Sequence, residues 1–132
     1  MSLSPVEVDL LKTVLSCQPN VTAAWLFGSQ DTGRATSRSD VDIGVLGLGD
    51  FSTRQRLELA AQLETELRVN RVDLVLLEKA SPILAFEVIL GTCLLNLDPE
   101  SCASFVSLTS RLYEDSMATL QRGVHYWRQA QV

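Results

Sequence analysis

The sequence predicts one α/β (α+β) domain spanning residues 1–132, a mixed sheet flanked by helices. Three observations carry this. A chain of 132 residues can bury one hydrophobic core but not two independent ones. Short β-rich apolar runs alternate along it with stretches of helical period. No repeat, linker or low-complexity segment separates them.

The elements follow in order. Ser4-Pro5 supplies a cap and a proline at the first helical position, and Val6, Leu10, Leu11, Val14 and Leu15 recur with helical spacing, which predicts a helix over 5–16. Pro19-Asn20 breaks it. Val21 to Phe27 is apolar on both faces and bounded by Gly28, as a buried strand requires. A polar stretch from Ser29 to Ser39 follows, with the potential to start a helix. Val41, Ile43, Val45 and Leu46 then mark a second strand around two aspartates. Leu57, Leu59, Ala60, Leu63 and Leu67 predict an amphipathic helix between Phe51 and Val69, capped by Ser52. Arg71 to Leu77 reads as a third strand, and Ser81-Pro82 opens a helix that Gly91 stops. Thr92 to Leu97 forms a short strand. Phe105, Leu108, Leu112, Met117, Leu120 and Val124 outline a long last helix from Glu100 to Trp127, interrupted near Asp115 and weakened at its end by Gly123.

Composition narrows the function. With 46% hydrophobic, 20% charged and 6% aromatic residues, the chain has an ordinary globular composition. A net charge of -5 offers no broad basic footprint, so direct DNA or RNA binding is not expected and any phosphate must be held locally. No apolar stretch approaches the roughly 20 residues of a membrane span, and no signal peptide is apparent. The three cysteines, Cys17, Cys93 and Cys102, show no ligand spacing. They are expected to be small buried apolar residues in a reducing, cytoplasmic setting.

Chemistry concentrates in three places. Asp40 and Asp42 stand two apart on a predicted strand, so both carboxylates project to one side at a Cα separation of roughly 7 Å. Two adjacent acids repel unless a cation lies between them, and hard divalent ions such as Mg²⁺ prefer carboxylate oxygens. Asp73 lies 31 positions after Asp42 in another apolar strand, where an ionised side chain is costly without a partner. If the two strands are neighbours, the three carboxylates converge. They could then hold two ions about 4 Å apart, one orienting a triphosphate and one lowering the pKa of an attacking hydroxyl, with Asp73 as metal ligand or base. Upstream, Gly28-Ser29 ends the first strand, where glycine admits close approach of a phosphate and free N–H groups and a hydroxyl receive it. Arg34 and Arg38 precede the paired acids, and guanidinium geometry matches phosphate; Arg34 is the stronger candidate.

Taken alone, Gly28-Ser29 is an ordinary turn and Ser39-Asp40 a loop cap. Trp25 reads as core packing and His125 as a surface residue. Tyr113, Tyr126 and Trp127 on the last helix are candidates for a partner-binding face.

In combination these residues resemble the minimal nucleotidyltransferases of the DNA polymerase β-like superfamily, which include the antitoxin partners of HEPN-domain toxins. The resemblance covers most of the chain. It rests on Gly28-Ser29, on Gly33-Arg34-Ala35 with Ser39-Asp40-Val41-Asp42, on Val72-Asp73-Leu74-Val75, and on the stretch from Ala80 to Leu95. It implies ATP and Mg²⁺ as co-substrate and cofactor, with transfer of AMP and release of pyrophosphate. Asp40, Asp42 and Asp73 would be the catalytic and metal-binding residues, and Gly28, Ser29, Arg34 and Ser39 the nucleotide contacts. In the toxin–antitoxin branch the acceptor would be a tyrosine hydroxyl of the HEPN toxin, bound as a hetero-oligomer. The sequence departs from the family at Gln30-Asp31-Thr32, where relatives often carry an aromatic and a basic residue. Two other readings compete: transfer to a small molecule such as an aminoglycoside, which usually needs a further helical domain, and a non-catalytic antitoxin that acts by occlusion.

Overall fold

A computed structural model describes residues 3–28, 40–47 and 51–130, the side chains of 125–130 excepted. Among these residues four α-helices and four strands alternate: α1 (Pro5–Ser16), β1 (Val21–Phe27), β2 (Val41–Gly47), α2 (Thr53–Leu67), β3 (Val72–Leu76), α3 (Pro82–Ile89), β4 (Thr92–Asn96) and α4 (Pro99–Ala130). The sheet order is β3-β2-β1-β4. β1 pairs antiparallel with β2 and β4, and β2 pairs parallel with β3, so the sheet is mixed as expected.

Local chemistry sets the helix starts. Ser4 and Glu7 form a reciprocal capping box on α1, and Ser52 and Gln55 form another on α2, each satisfying two amides that the helix leaves open. Asp98 starts α4 by accepting from the amide of Ser101 at 3.2 Å. α2 ends on Arg68 in the left-handed conformation, φ 56°. The α2 side chain of Glu64 then accepts from the amide of Val72 at 2.9 Å, tying the helix to the first residue of β3.

Strand alternation divides the core between the two sheet faces. On one face Val41, Ile43, Val45, Val72 and Leu74 pack under Leu11 and Leu15 of α1 and Leu59, Leu63 and Leu67 of α2. On the other, Trp25, Phe27 and Leu46 pack against Ala85 and Val88 of α3 and Cys102 of α4. β1 lies between two neighbours and all seven of its residues are buried, which accounts for its unbroken apolar run.

Gly44 faces α3, and a Cβ there would overlap Val88 Cγ1. Gly44→Ala is therefore expected to destabilise the domain by about 1–3 kcal/mol through overpacking, with partial recovery in a Gly44→Ala/Val88→Ala double variant. Urea unfolding of the three proteins checks this.

Several expectations are corrected. α4 runs unbroken through Asp115; the aspartate is exposed, and its carbonyl accepts from Thr119 Oγ1 at 3.0 Å one turn on, so it does not compete with the helix. The third strand is shorter than Arg71 to Leu77, because the chain turns into a 3₁₀ segment over Leu77–Lys79. Cys17 and Cys93 are exposed, one at the carboxy-terminal cap of α1 and the other on edge strand β4, and only Cys102 is buried. Leu57, assigned to the packed face of α2 by its spacing, is 59% exposed. Trp25 lies in the core as expected. Among the described residues no helix is long and apolar enough to cross a membrane.

Candidate active site

The parallel pairing of β2 with β3 sets Asp42 directly beside Asp73 in register. Both side chains project from the α3–α4 face, because Val41, Ile43, Val72 and Leu74 take the other. The condition on which convergence depended, that the strands be neighbours, is met. Asp40 lies just before β2 and is exposed.

The electrostatics of Asp42 register this crowding. Burial pushes its pKa upward, and the Asp73 charge, the Asp40 charge, a hydrogen bond with the Asp73 side chain and the charge of Glu87 on α3 all act in the same direction. A raised carboxyl next to a second carboxyl is what an uncompensated anion pair produces, and a cation would relieve it. The donor set consists of hard oxygens, which suits Mg²⁺. Among the described residues, no three acidic, thiol or imidazole groups stand close enough to form a closed metal cage. Asp42 and Asp73 form the contact pair, and Asp40 acts on Asp42 through its charge.

Arg71 is the neighbour that sequence reasoning missed. Its Nε donates to Asp73 Oδ1 at 2.8 Å, with the two side chains 67% and 39% exposed. The signal was present in the two-residue spacing on a strand, which sends Arg71 and Asp73 to one face. Glu87 was missed because α3 is brought over β2 only by tertiary packing.

At the end of the adjacent strand β1, Gly28 has φ 75°, a conformation that side chains with a Cβ rarely adopt. A Cβ at that position would stand 2.5 Å from Asp42 Oδ2. The predicted phosphate-cradle glycine and the first-strand acid therefore meet, with Phe27 paired opposite Asp42 in the sheet. Ser29, Arg34, Arg38 and Ser39 lie outside the described residues, as do any helix after Ser29 and the side chains of His125, Tyr126 and Trp127. Tyr113 is half-buried and stacks on Phe86, with centroids 3.9 Å apart. Among the described residues, α4 also exposes Leu108, Leu112, Leu120 and Val124, and α3 exposes Ile83.

A mixed sheet whose neighbouring parallel strands pair two acids, beside a positive-φ glycine at the next strand end, defines the class as an α/β nucleotidyltransferase. The chain belongs to the family described as Polymerase beta, Nucleotidyltransferase, whose model matches residues 10–100, more than half its length. Comparison with curated protein sequences finds no match. Solved structures do match over nearly the whole chain. A toxin–antitoxin structure with AMP-PNP is 28% identical, with 92% of this chain and 98% of that chain covered and a TM-score of 0.77. A complex of tri-AMPylated Shewanella oneidensis HEPN toxin with MNT antitoxin is 26% identical, with 93% and 97% covered and a TM-score of 0.75. The toxin–antitoxin MntA–HepT is 25% identical, with 95% and 99% covered and a TM-score of 0.75.

Proposed function

We propose that this chain is the antitoxin of a toxin–antitoxin pair and transfers AMP from ATP to a tyrosine hydroxyl of a HEPN-type toxin. The observation that carries this reading is the pairing of Asp42 with Asp73 beside Gly28, on a chain similar throughout to one from a complex that holds a tri-AMPylated toxin. Gly28 and Ser29 receive phosphate oxygens of ATP, and Arg34 and Ser39 add contacts to the triphosphate. Asp40, Asp42 and Asp73 would hold Mg²⁺, which would supply charge neutralisation at the triphosphate and acidification of the acceptor hydroxyl. Asp73 also stands on the edge strand, where it can take the hydroxyl proton while Arg71 fixes one of its oxygens. The acceptor oxygen bonds to the α-phosphorus, the bond from that phosphorus to the β-phosphate oxygen breaks, and pyrophosphate leaves. The apolar stripe of α4 is the surface a partner would cover, since contiguous exposed apolar area marks interaction sites.

The test is incubation of the chain with labelled ATP, Mg²⁺ and the product of the adjacent gene, followed by intact-mass spectrometry. The expected result is a gain of one AMP unit or a multiple of it on the partner, absent with an Asp40→Ala/Asp42→Ala variant. Tight binding of the partner without any mass gain would overturn transfer and leave occlusion as the mode of inhibition.

A further inference from the structure

Among the described residues, Arg71 is the cation that contacts the carboxylate pair: its Nε donates to Asp73 Oδ1 at 2.8 Å. Asp73 is in turn hydrogen-bonded to Asp42, which also feels the charges of Asp40 and Glu87. Four carboxylates and one guanidinium thus share the site. The backbone of Arg71 is fixed there. Its carbonyl accepts from the amide of Val41 at 3.0 Å, which sets it beside the residue between Asp40 and Asp42. The next amide, that of Val72, donates to Glu64 Oε2 at 2.9 Å. The side chain itself is two-thirds exposed. An ion pair so open to water adds little to the stability of the fold, so its consequence lies in what the carboxylates bind.

The Arg71 guanidinium acts with opposite sign on two ligands of this site. A free divalent cation is repelled by it and meets a carboxylate oxygen, Asp73 Oδ1, that is already engaged. A divalent ion already bound to a triphosphate is part of a net anion. The same guanidinium attracts that complex and offers planar N–H donors to its phosphate oxygens. Asp40, Asp42, Asp73 and Glu87 alone would do the reverse. They would concentrate free cations and repel the anionic complex, and a chain of net charge -5 has no general basic field to offset this.

We infer that Arg71 makes the site select a divalent ion carried by a triphosphate over the free ion. The inference rests on the proposed AMP transfer for the nature of the nucleotide, while the effect on the free ion is independent of it. Arg71 acts through its charge and through Asp73, as a positioning and specificity residue, and takes no part in the bond changes at phosphorus. Ion and nucleotide therefore load together, and without the nucleotide Asp73 stays held by Arg71.

Two titrations of the full chain test it, on the parent, Arg71→Gln and Arg71→Lys, each variant first shown to keep the parent's Tm within about 3 °C. In the first, Mn²⁺ is added without nucleotide and its unbound fraction is read by electron paramagnetic resonance. Arg71→Gln is expected to bind the ion about three- to tenfold more tightly than the parent. In the second, the Mn²⁺ complex of the non-transferable α,β-methylene analogue of ATP is titrated, and Arg71→Gln is expected to bind it about three- to tenfold more weakly. Arg71→Lys, which keeps the charge, should stay within about twofold of the parent in both. Opposite signs are the decisive result, because a merely structural loss weakens both. Free-ion binding that is unchanged or weaker in Arg71→Gln, or complex binding that is unchanged or tighter, would overturn the inference. A parent chain that binds Mn²⁺ no better than an Asp40→Ala/Asp42→Ala variant would also overturn it, by removing the ion from the site. Absence of AMP transfer to the partner would remove the proposed function alone and leave the two titrations to decide the role of Arg71.

Discussion

Asp42→Asn is expected to reduce nucleotidyl transfer by on the order of 10³-fold while making the metal-free protein more stable. The two effects have one origin. Asp42 is partly buried, hydrogen-bonded to Asp73, and subject to the charges of Asp73, Asp40 and Glu87, all of which hold its pKa above 3.8. A carboxyl whose pKa is raised by folding binds more protons in the folded state than in the unfolded chain between the two pKa values. Stability therefore falls as pH rises through that window and stays lower above it. Asparagine keeps a hydrogen-bonding group at the position and carries no charge. In a chelator, melting curves of the two proteins should coincide below about pH 4 and separate above it, Asp42→Asn melting a degree or two higher near neutrality; exposure of the site to solvent keeps the difference small. In the proposed reaction transfer requires the charge, because several kcal/mol of stabilisation at the triphosphate would be lost with the ligand, and each 1.4 kcal/mol is about tenfold in rate. Retention of activity within tenfold would remove Asp42 from the site; a lower melting temperature at neutral pH would show that the acid pair is not under the repulsion described.

The second large effect is expected from Gly28→Ala. Alanine at φ 75° carries a backbone penalty of about 1–2 kcal/mol, and its Cβ would meet Asp42 Oδ2 at 2.5 Å, so the carboxylate must move. A displacement of about 1 Å in a catalytic group costs on the order of 10²-fold in rate. The predicted outcome is a fall of that size in kcat/KM and a drop in Tm of several degrees, with the far-ultraviolet circular dichroism of the folded chain retained. Because the clash is with Asp42, Gly28→Ala in an Asp42→Gly background should lose far less further stability than in the parent chain. Equal losses in the two backgrounds would show that the cost is backbone conformation alone.

Much of the architecture could be read directly because its signals are local. Ser4-Pro5, Ser52 and Ser81-Pro82 are followed by helices starting at Pro5, Thr53 and Pro82, since a cap acts within one turn. The strands at Val21, Val41 and Val72 follow from apolar, β-branched runs. The errors fall where a residue's environment comes from elsewhere in the chain. Leu57 has the spacing of a core residue but is exposed and opens onto a cavity beside β3. Leu108, Leu112, Leu120 and Val124 keep helical period on the stretch of α4 that extends beyond Cys102 and Phe105, where they are 41–52% exposed among the described residues. Cys93 is on an edge strand, and nothing in its own neighbourhood in sequence could announce an edge.

For the candidate site the division is similar. The sequence by itself singled out Asp40, Asp42 and Asp73 and the glycine at the strand end as candidates, and determined the strands that carry Asp42 and Asp73, because two-residue alternation and residue chemistry are properties of a few neighbouring positions. Only the tertiary structure decided that Asp42 and Asp73 are in register, that Gly28 faces Asp42, that Arg71 holds Asp73 and that Glu87 adds its charge from α3. Those relations depend on which strands pair and in what order. That choice is made by the burial of two separate apolar faces over the whole sheet, which no local stretch of the sequence contains.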